Sequence, residues 1–283
     1  MSRFRRFRKN RQLVAGSIIG LIILMLGIFG PMLFGDYASQ NLSNGHKPIG
    51  TDGAFFGTDG LGRNLAARAT FGIRISLLVA IAVTALAVVI GTLIGLIAGY
   101  VRGPVDNVIS LIIDFIWGFP LILVAVLAAA SIGSGLLPVI LAVALVNTVA
   151  IARVVRGEVL GISEKEFVIA AQAGGYSTIR ILTRHVAPNV IPVALVLSSY
   201  YIAVAIIAEA ALSFVGMGAQ PPLPSLGQMV SEGRNYMRLN HWESTIPGVI
   251  IFFMVLSVSL IGDGLRDLLD PRLRTELDRE SPQ

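Results

Sequence analysis

Six stretches of this chain are so long and so apolar that folding in water is closed to most of it. They cover residues 13–34, 73–100, 108–132, 136–152, 190–215 and 246–264. A helix that crosses a bilayer needs about 20 mostly apolar residues. The fourth stretch is short for that, and the sixth carries Ser257 and Ser259. Charged residues make up 14% of the 283, where an ordinary soluble domain has about 25%. The pattern predicts an all-α, polytopic membrane protein with six transmembrane helices.

The basic residues give an orientation. They gather at the ends of the apolar stretches, as in the cytoplasmic loops of membrane proteins, and are not spread like a nucleic-acid footprint. With the N-terminus inside, the internal segments hold sixteen Lys and Arg residues and the external segments six. Both termini are then expected in the cytoplasm, in a cell membrane. The start, MSRFRRFRKNR, is basic like the head of a signal peptide. The run after it is too long for one and ends in bulky Met32, Leu33 and Phe34, so it is expected to stay as the first span. The division that follows is a basic tail, first helix and external loop over 1–72, a five-helix core over 73–270, and a cytoplasmic tail over 271–283. In the first external segment, residues 61–71 mix apolar and Arg positions and predict a short helix on the membrane surface.

The cytoplasmic segment 163–189 is the polar interruption with the most internal order. Ala170, Ala171 and Ala173 lie in a helical register that ends in Gly174 and Gly175. Gly175 suits a positive-φ turn between two short helices. Glu164 and Glu166 fall in the first turn behind Ser163 as its N-cap, where negative charge is favoured. A basic segment with Arg180, Arg184 and His185 follows, and Pro188 leads back to the membrane. Two readings stay open on pattern alone: a docking element for another protein, or an amphipathic helix resting on lipid headgroups.

Several chemistries are excluded. None of the three lysines (Lys9, Lys47, Lys165) stands in a Gly-Lys-Ser/Thr context, so there is no P-loop. Cysteine is absent, and the three histidines are scattered. His46 and His241 fall on external segments, with no carboxylates at metal spacing. No nucleophile and base come together, and the chain is not expected to be an enzyme or to bind a cofactor itself.

Within the membrane, Asp114 predicts a structural pair with an arginine such as Arg102 or Arg153, or else a place on a cavity, because an intramembrane carboxylate is costly. Glu209, near the external end of the fifth span, is expected to line the mouth of a pathway or to hold the external loop. Asn147 suits a hydrogen bond between helices. Pro120, Pro138 and Pro192 suit kinks or helix ends. Gly91, Gly95 and Gly99 form a small-residue face for helix packing.

The segment 163–189 resembles the EAA loop of ABC importer permeases, whose pattern is Glu-Ala-Ala, three residues, Gly, nine residues, Ile-x-Leu-Pro. Ala170, Ala171, Gly175 and Pro188 match at the right spacing, while Ile169, His185 and Ala187 depart from it. FGTDGLGRNLAARATFGIRISL (56–77), EAALSFVGMGAQPPLPSLGQM (209–229) and GDGLRDLLDPRLR (262–274) are similar to further segments of the dipeptide, oligopeptide and nickel subfamily, with Asn64 where Asp is usual. The closest likeness is to its second membrane subunit. The resemblance implies a permease subunit of an ATP-driven importer of di- or oligopeptides, with nickel, glutathione and other solutes as other cargoes of similar subunits. It implies coupling to two ATPase subunits through Glu166, Ala170, Ala171, Gly174, Gly175 and Pro188, with ATP and Mg held on those subunits. A second, homologous permease subunit, an extracytoplasmic substrate-binding protein on the external loops and the membrane lipids complete the partners. The alternative is an ATP-independent secondary transporter or channel, for which buried charge along several spans is expected.

Overall fold

The computed structural model describes residues 10–269. The basic residues before Asn10, the tail 271–283 and the end of the 262–274 motif lie outside that range. Among the described residues all regular structure is helical apart from two isolated β-bridges, and residues 35–64 and 215–225 are mostly loop. Among the described residues five helices are long and apolar enough to cross a membrane, or six if one bent pair counts as a span.

Helix α1 (Arg11–Phe34) starts on the Asn10 side chain, which accepts from the Leu13 amide at 3.0 Å. Helix α2 (Leu65–Val101) starts eight residues before its apolar run. The expected surface helix over 61–71 is therefore mostly the first two turns of this span. Asn64 sets the boundary: its side-chain oxygen caps Ala66 and Ala67, and its amide donates to the carbonyls of Phe34 and Gly53 at 3.2 Å. A carboxylate has no such donor.

The third apolar run is not one helix. It divides into α3 (Gly103–Trp117) and α4 (Leu121–Ile132), bent by 91°. Pro120 has no N–H to give and disfavours helical backbone at Phe119, so the helix stops at Gly118. Helix α5 (Leu136–Ser163) continues eleven residues past the expected end at Ala152, and carries Arg153 and Arg156 on the helix instead of in a loop. Two short helices follow, α6 (Glu166–Ala173) and α7 (Thr178–Ile181), then a π-turn (Leu182–Val186), α8 (Ala187–Phe214), α9 (Leu226–Gly233) and α10 (Trp242–Leu269).

Helix α2 is the axis of the bundle, with α5, α8 and α1 around it and α10 behind α1 and α8. Its small-residue face lets α5 approach closely. A Cβ at Gly91, Gly95 or Gly99 would lie 2.7, 2.7 and 2.8 Å from the carbonyl oxygens of Thr148, Ala152 and Arg156. Ser257, which weakened the sixth run on paper, is buried and donates to the Gly16 carbonyl at 2.8 Å, tying α10 to α1. Asn147 is buried on α5, but among the described residues its amide nitrogen has no partner, contrary to the hydrogen bond expected of it.

The segments 35–72 and 216–245 pack together as one cap. Asp59 is the hub: its carboxylate accepts from the amides of Leu61 and Arg63 at 2.9 Å, from Arg63 Nε at 2.7 Å and from the buried Arg68. Glu232 on α9 pairs with Arg68 at 2.9 Å. His46 meets Glu243 of α10 at 2.6 Å and lies against Tyr236, so this histidine has a carboxylate partner that the sequence spacing concealed. Burial opposes ionisation of Asp59, yet the Arg68 and Arg63 charges and the backbone N–H hold its carboxyl below the usual value of 3.8. A depressed carboxyl stabilises the fold above its unfolded pKa and loses that contribution as pH falls through the folded one. Asp59→Asn leaves Arg68 with Glu232 alone and should cost about 3 kcal/mol at neutral pH. Unfolding of the purified protein in detergent would read this, and the gap between wild type and variant should narrow below about pH 4.

Candidate functional site

The segment 163–189 forms a compact hairpin built from α6, α7 and the π-turn. Glu166 opens α6 at its first position, but neither Ser163 nor Lys165 caps it with a side chain. Ser163 belongs to α5 and donates back to the Val159 carbonyl at 2.6 Å. Glu164 is also outside α6 and pairs with Arg102 at 3.2 Å. The helix ends as a Schellman turn. The Tyr176 amide reaches back to the Ala171 carbonyl at 3.2 Å, and the Gly175 amide to that of Gln172 at 3.0 Å. Gly174 is the C-cap and Gly175 takes φ +76°, as the turn requires.

The hairpin has two faces. Val168 and Ala171 point inward onto Ile162, Ile181, Val186 and Val190. Ala171 thus seats the hairpin on its own chain and is not on the surface where an approach was expected. The outer face presents Ala170, Ala173, Gly174 and Gly175 together with the apolar Phe167, Ile169 and Ile179, the last 75% exposed. Small residues flanked by exposed apolar ones on a turn are the make-up of a contact surface. A helix resting on headgroups needs its polar side toward water.

Sequence reasoning missed the brace of this hairpin. Arg180 lies 4.4 Å over the Tyr176 ring, and the His185 ring is stacked with that ring, their centroids 6.0 Å apart. The aromatic and the two basic residues at four- and nine-residue spacing were the available signal. Pro188 sits in the first turn of α8, and the π-turn just before it widens the ladder that Pro188 cannot complete. Asn189 donates its side-chain amide to the His185 carbonyl at 2.7 Å. Helical backbone therefore runs unbroken from Thr178 to Phe214, so the hairpin is rigidly joined to the fifth span.

The charged residues within the span region fall into two groups. Asp106 on α3 and Arg156 on α5 make a two-pronged pair at 2.5 and 2.7 Å, and Asp106 is buried. Asp114 pairs with Arg153, one of the two partners expected, and Arg153 also lies 5.1 Å over the Trp117 ring. Glu209 is fully buried and lines no opening. Its carboxylate accepts from Ser76 of α2 and Ser213 of α8, both at 2.7 Å. It ties these helices together beneath Gly218, at the base of the second external segment. Among the described residues no three His, Cys, Asp or Glu side chains gather to hold a metal.

Comparison with known proteins agrees with this geometry. The family of binding-protein-dependent transport system inner membrane components matches residues 91–275, and the N-terminal TM domain of oligopeptide transport permease C matches residues 2–48. The oligopeptide transport system permease protein OppC of Bacillus subtilis (strain 168) is 37% identical over 270 residues, 95% of this chain and 88% of that one. OppC of Escherichia coli (strain K12) is 39% identical over 274 residues, 95% of this chain and 90% of that one. The dipeptide transport system permease protein DppC of Alkalihalophilus pseudofirmus is 37% identical over 273 residues, with 96% and 90% covered. Among solved structures, an inward-facing MetNI methionine ABC transporter shares the fold, with a TM-score of 0.58, 20% identity, and 70% of this chain and 95% of that chain covered.

Proposed function

The chain belongs to the family of binding-protein-dependent transport system inner membrane components, and from that premise we propose that it passes di- or oligopeptides across the membrane. It is a multi-pass permease subunit of an ABC importer and not an enzyme. A partner permease, ATPases and a substrate-binding protein belong to such a system in general terms. An ATP-independent transporter is not favoured. The similarity to oligopeptide and dipeptide permeases over nearly the whole chain carries the peptide reading.

The coupling works as follows. ATP and Mg are bound on two ATPase subunits beneath the membrane, and the hairpin α6–α7 docks on them, with both termini of the chain on the same side. Glu166, Ala170, Gly174 and Gly175 face the ATPases, while Ala171 and Pro188 hold the hairpin to α5 and α8. ATP draws the ATPases together and shifts the hairpin. The shift passes into α8 because no flexible break separates Thr178 from Phe214. Glu209 carries it to α2 through Ser76. The bundle opens outward, accepts solute from the binding protein on the external cap, and returns inward after hydrolysis.

A strain lacking this subunit, supplied with labelled dipeptide or with nickel, separates the cargoes. Peptide uptake should be lost on deletion and restored by the intact gene. Loss of nickel uptake with unchanged peptide uptake would overturn the peptide reading.

A further inference from the structure

We propose that the bend between α3 and α4, with the Asp114–Arg153 pair beside it, lines the solute pathway and contacts the charged ends of a zwitterionic solute. The inference rests on the peptide reading for the solute but not for the lining.

Three observations meet there. The first is the exposure of the pair: 68% for the Asp114 side chain and 45% for Arg153. The neighbours at the same level, Leu111, Phe115 and Trp117, are apolar and also exposed. They mark a depth at which lipid-facing charge is costly, and charged groups there face a bundle interior or a water-filled cavity. Asp114 lies about 16 Å along α3 from its start at Gly103, by the rise of an α-helix.

The second is the bend itself. Gly118, Phe119 and Pro120 interrupt a span, and non-helical backbone at membrane depth survives where it is covered by protein or lines water. Discontinuous helices of this kind build midplane solute sites in other transporters. Gly118 and Pro120 are exposed in this chain.

The third is redundancy. The Asp106–Arg156 pair, two turns nearer the cytoplasm, already fastens α3 to α5 and is half-buried there. The bundle therefore does not need Asp114–Arg153 as a strut. A solute carrying an ammonium at one end and a carboxylate at the other matches both members, each exchanging its neighbour for the solute. Trp117, stacked on Arg153, adds an apolar wall.

The chain has no cysteine, so a single one can report on its surroundings in the assembled transporter. Leu111→Cys, one helical turn from Asp114, should react with a charged, water-soluble thiol reagent, and the extent should change when ATP is trapped on the complex. Ile22→Cys on the outer face of α1 should not react. A Leu111→Cys protein inert in every state, whether through lipid or through cover by the partner permease, overturns the lining. For solute contact, Asp114→Asn and Arg153→Gln should each lower labelled-dipeptide uptake about tenfold, with the complex recovered in normal yield. Exchange of the two charges (Asp114→Arg with Arg153→Asp) should leave uptake low. Full recovery on exchange would show an internal strut and overturn the contact. If the wild type carries no peptide, the peptide reading fails, and the thiol reaction still decides the lining.

Discussion

Gly95→Val should separate α2 from α5 and remove most of the assembled protein. The added Cβ would stand 2.6 Å from Val155 Cγ1 and 2.7 Å from the Ala152 carbonyl oxygen. The side chain has nowhere to turn, and a backbone carbonyl within a helix cannot give way alone. Overpacking a tight contact costs about 1–3 kcal/mol, and here it also opens the neighbouring contacts at Gly91 and Gly99, so the upper end is expected. Yield and thermal unfolding in detergent would measure it. Gly157→Ala on α5 is the contrast. That glycine has open space around it, so alanine should be neutral or raise helix stability by up to about 1 kcal/mol.

Gly175→Asp should leave the membrane bundle assembled and uncouple it. The position is exposed, with nothing within 4 Å of an added Cβ, so packing is not the issue. Two things change. The backbone is left-handed at φ +76°, which costs a residue with a side chain about 1 kcal/mol, less for Asp and Asn. A charge also enters the small-residue surface that the ATPase would meet, where an unpaired carboxylate is desolvated on contact. Gly175→Asn carries the same backbone cost without the charge and separates the two effects. Binding-protein-stimulated ATP hydrolysis should fall about tenfold or more in the Asp variant and much less in the Asn variant. Equal losses would place the effect in the turn and not in the contact.

Much of this architecture is legible because bilayer burial leaves a coarse signal. Runs of apolar residues located the five long helices and the bent pair, and the Gly91, Gly95, Gly99 spacing located the central packing seam. The boundaries were not legible, because they are set by contacts that hydropathy does not record. Helix α2 begins at Leu65 since Asn64 caps it and Arg68 is neutralised by Asp59, and Asn64 and Asp59 lie nine and fourteen residues before the apolar run begins. Helix α5 carries Arg156 because Asp106 waits on α3, which only the fold brings near. Pro120 was legible as a kink, but not the size of the bend. In the α6–α7 hairpin, the Gly175 turn followed from the sequence alone. That Ala171 faces inward did not, since an eight-residue helix with alanines on both sides has no periodicity strong enough to orient it. Tyr176 went unnoticed because its brace joins residues across a turn.

The most direct test of the account is a site-specific cross-link from the outer face of the hairpin. Ala173→Cys is a small change at an exposed position in a chain with no other cysteine. A short thiol-to-amine cross-linker applied to the intact transporter should join this position to an ATPase subunit, in an amount that changes when ATP is trapped. Absence of that product in every nucleotide state, with the complex intact, would contradict the docking of α6–α7 on the ATPases and with it the proposed route of coupling.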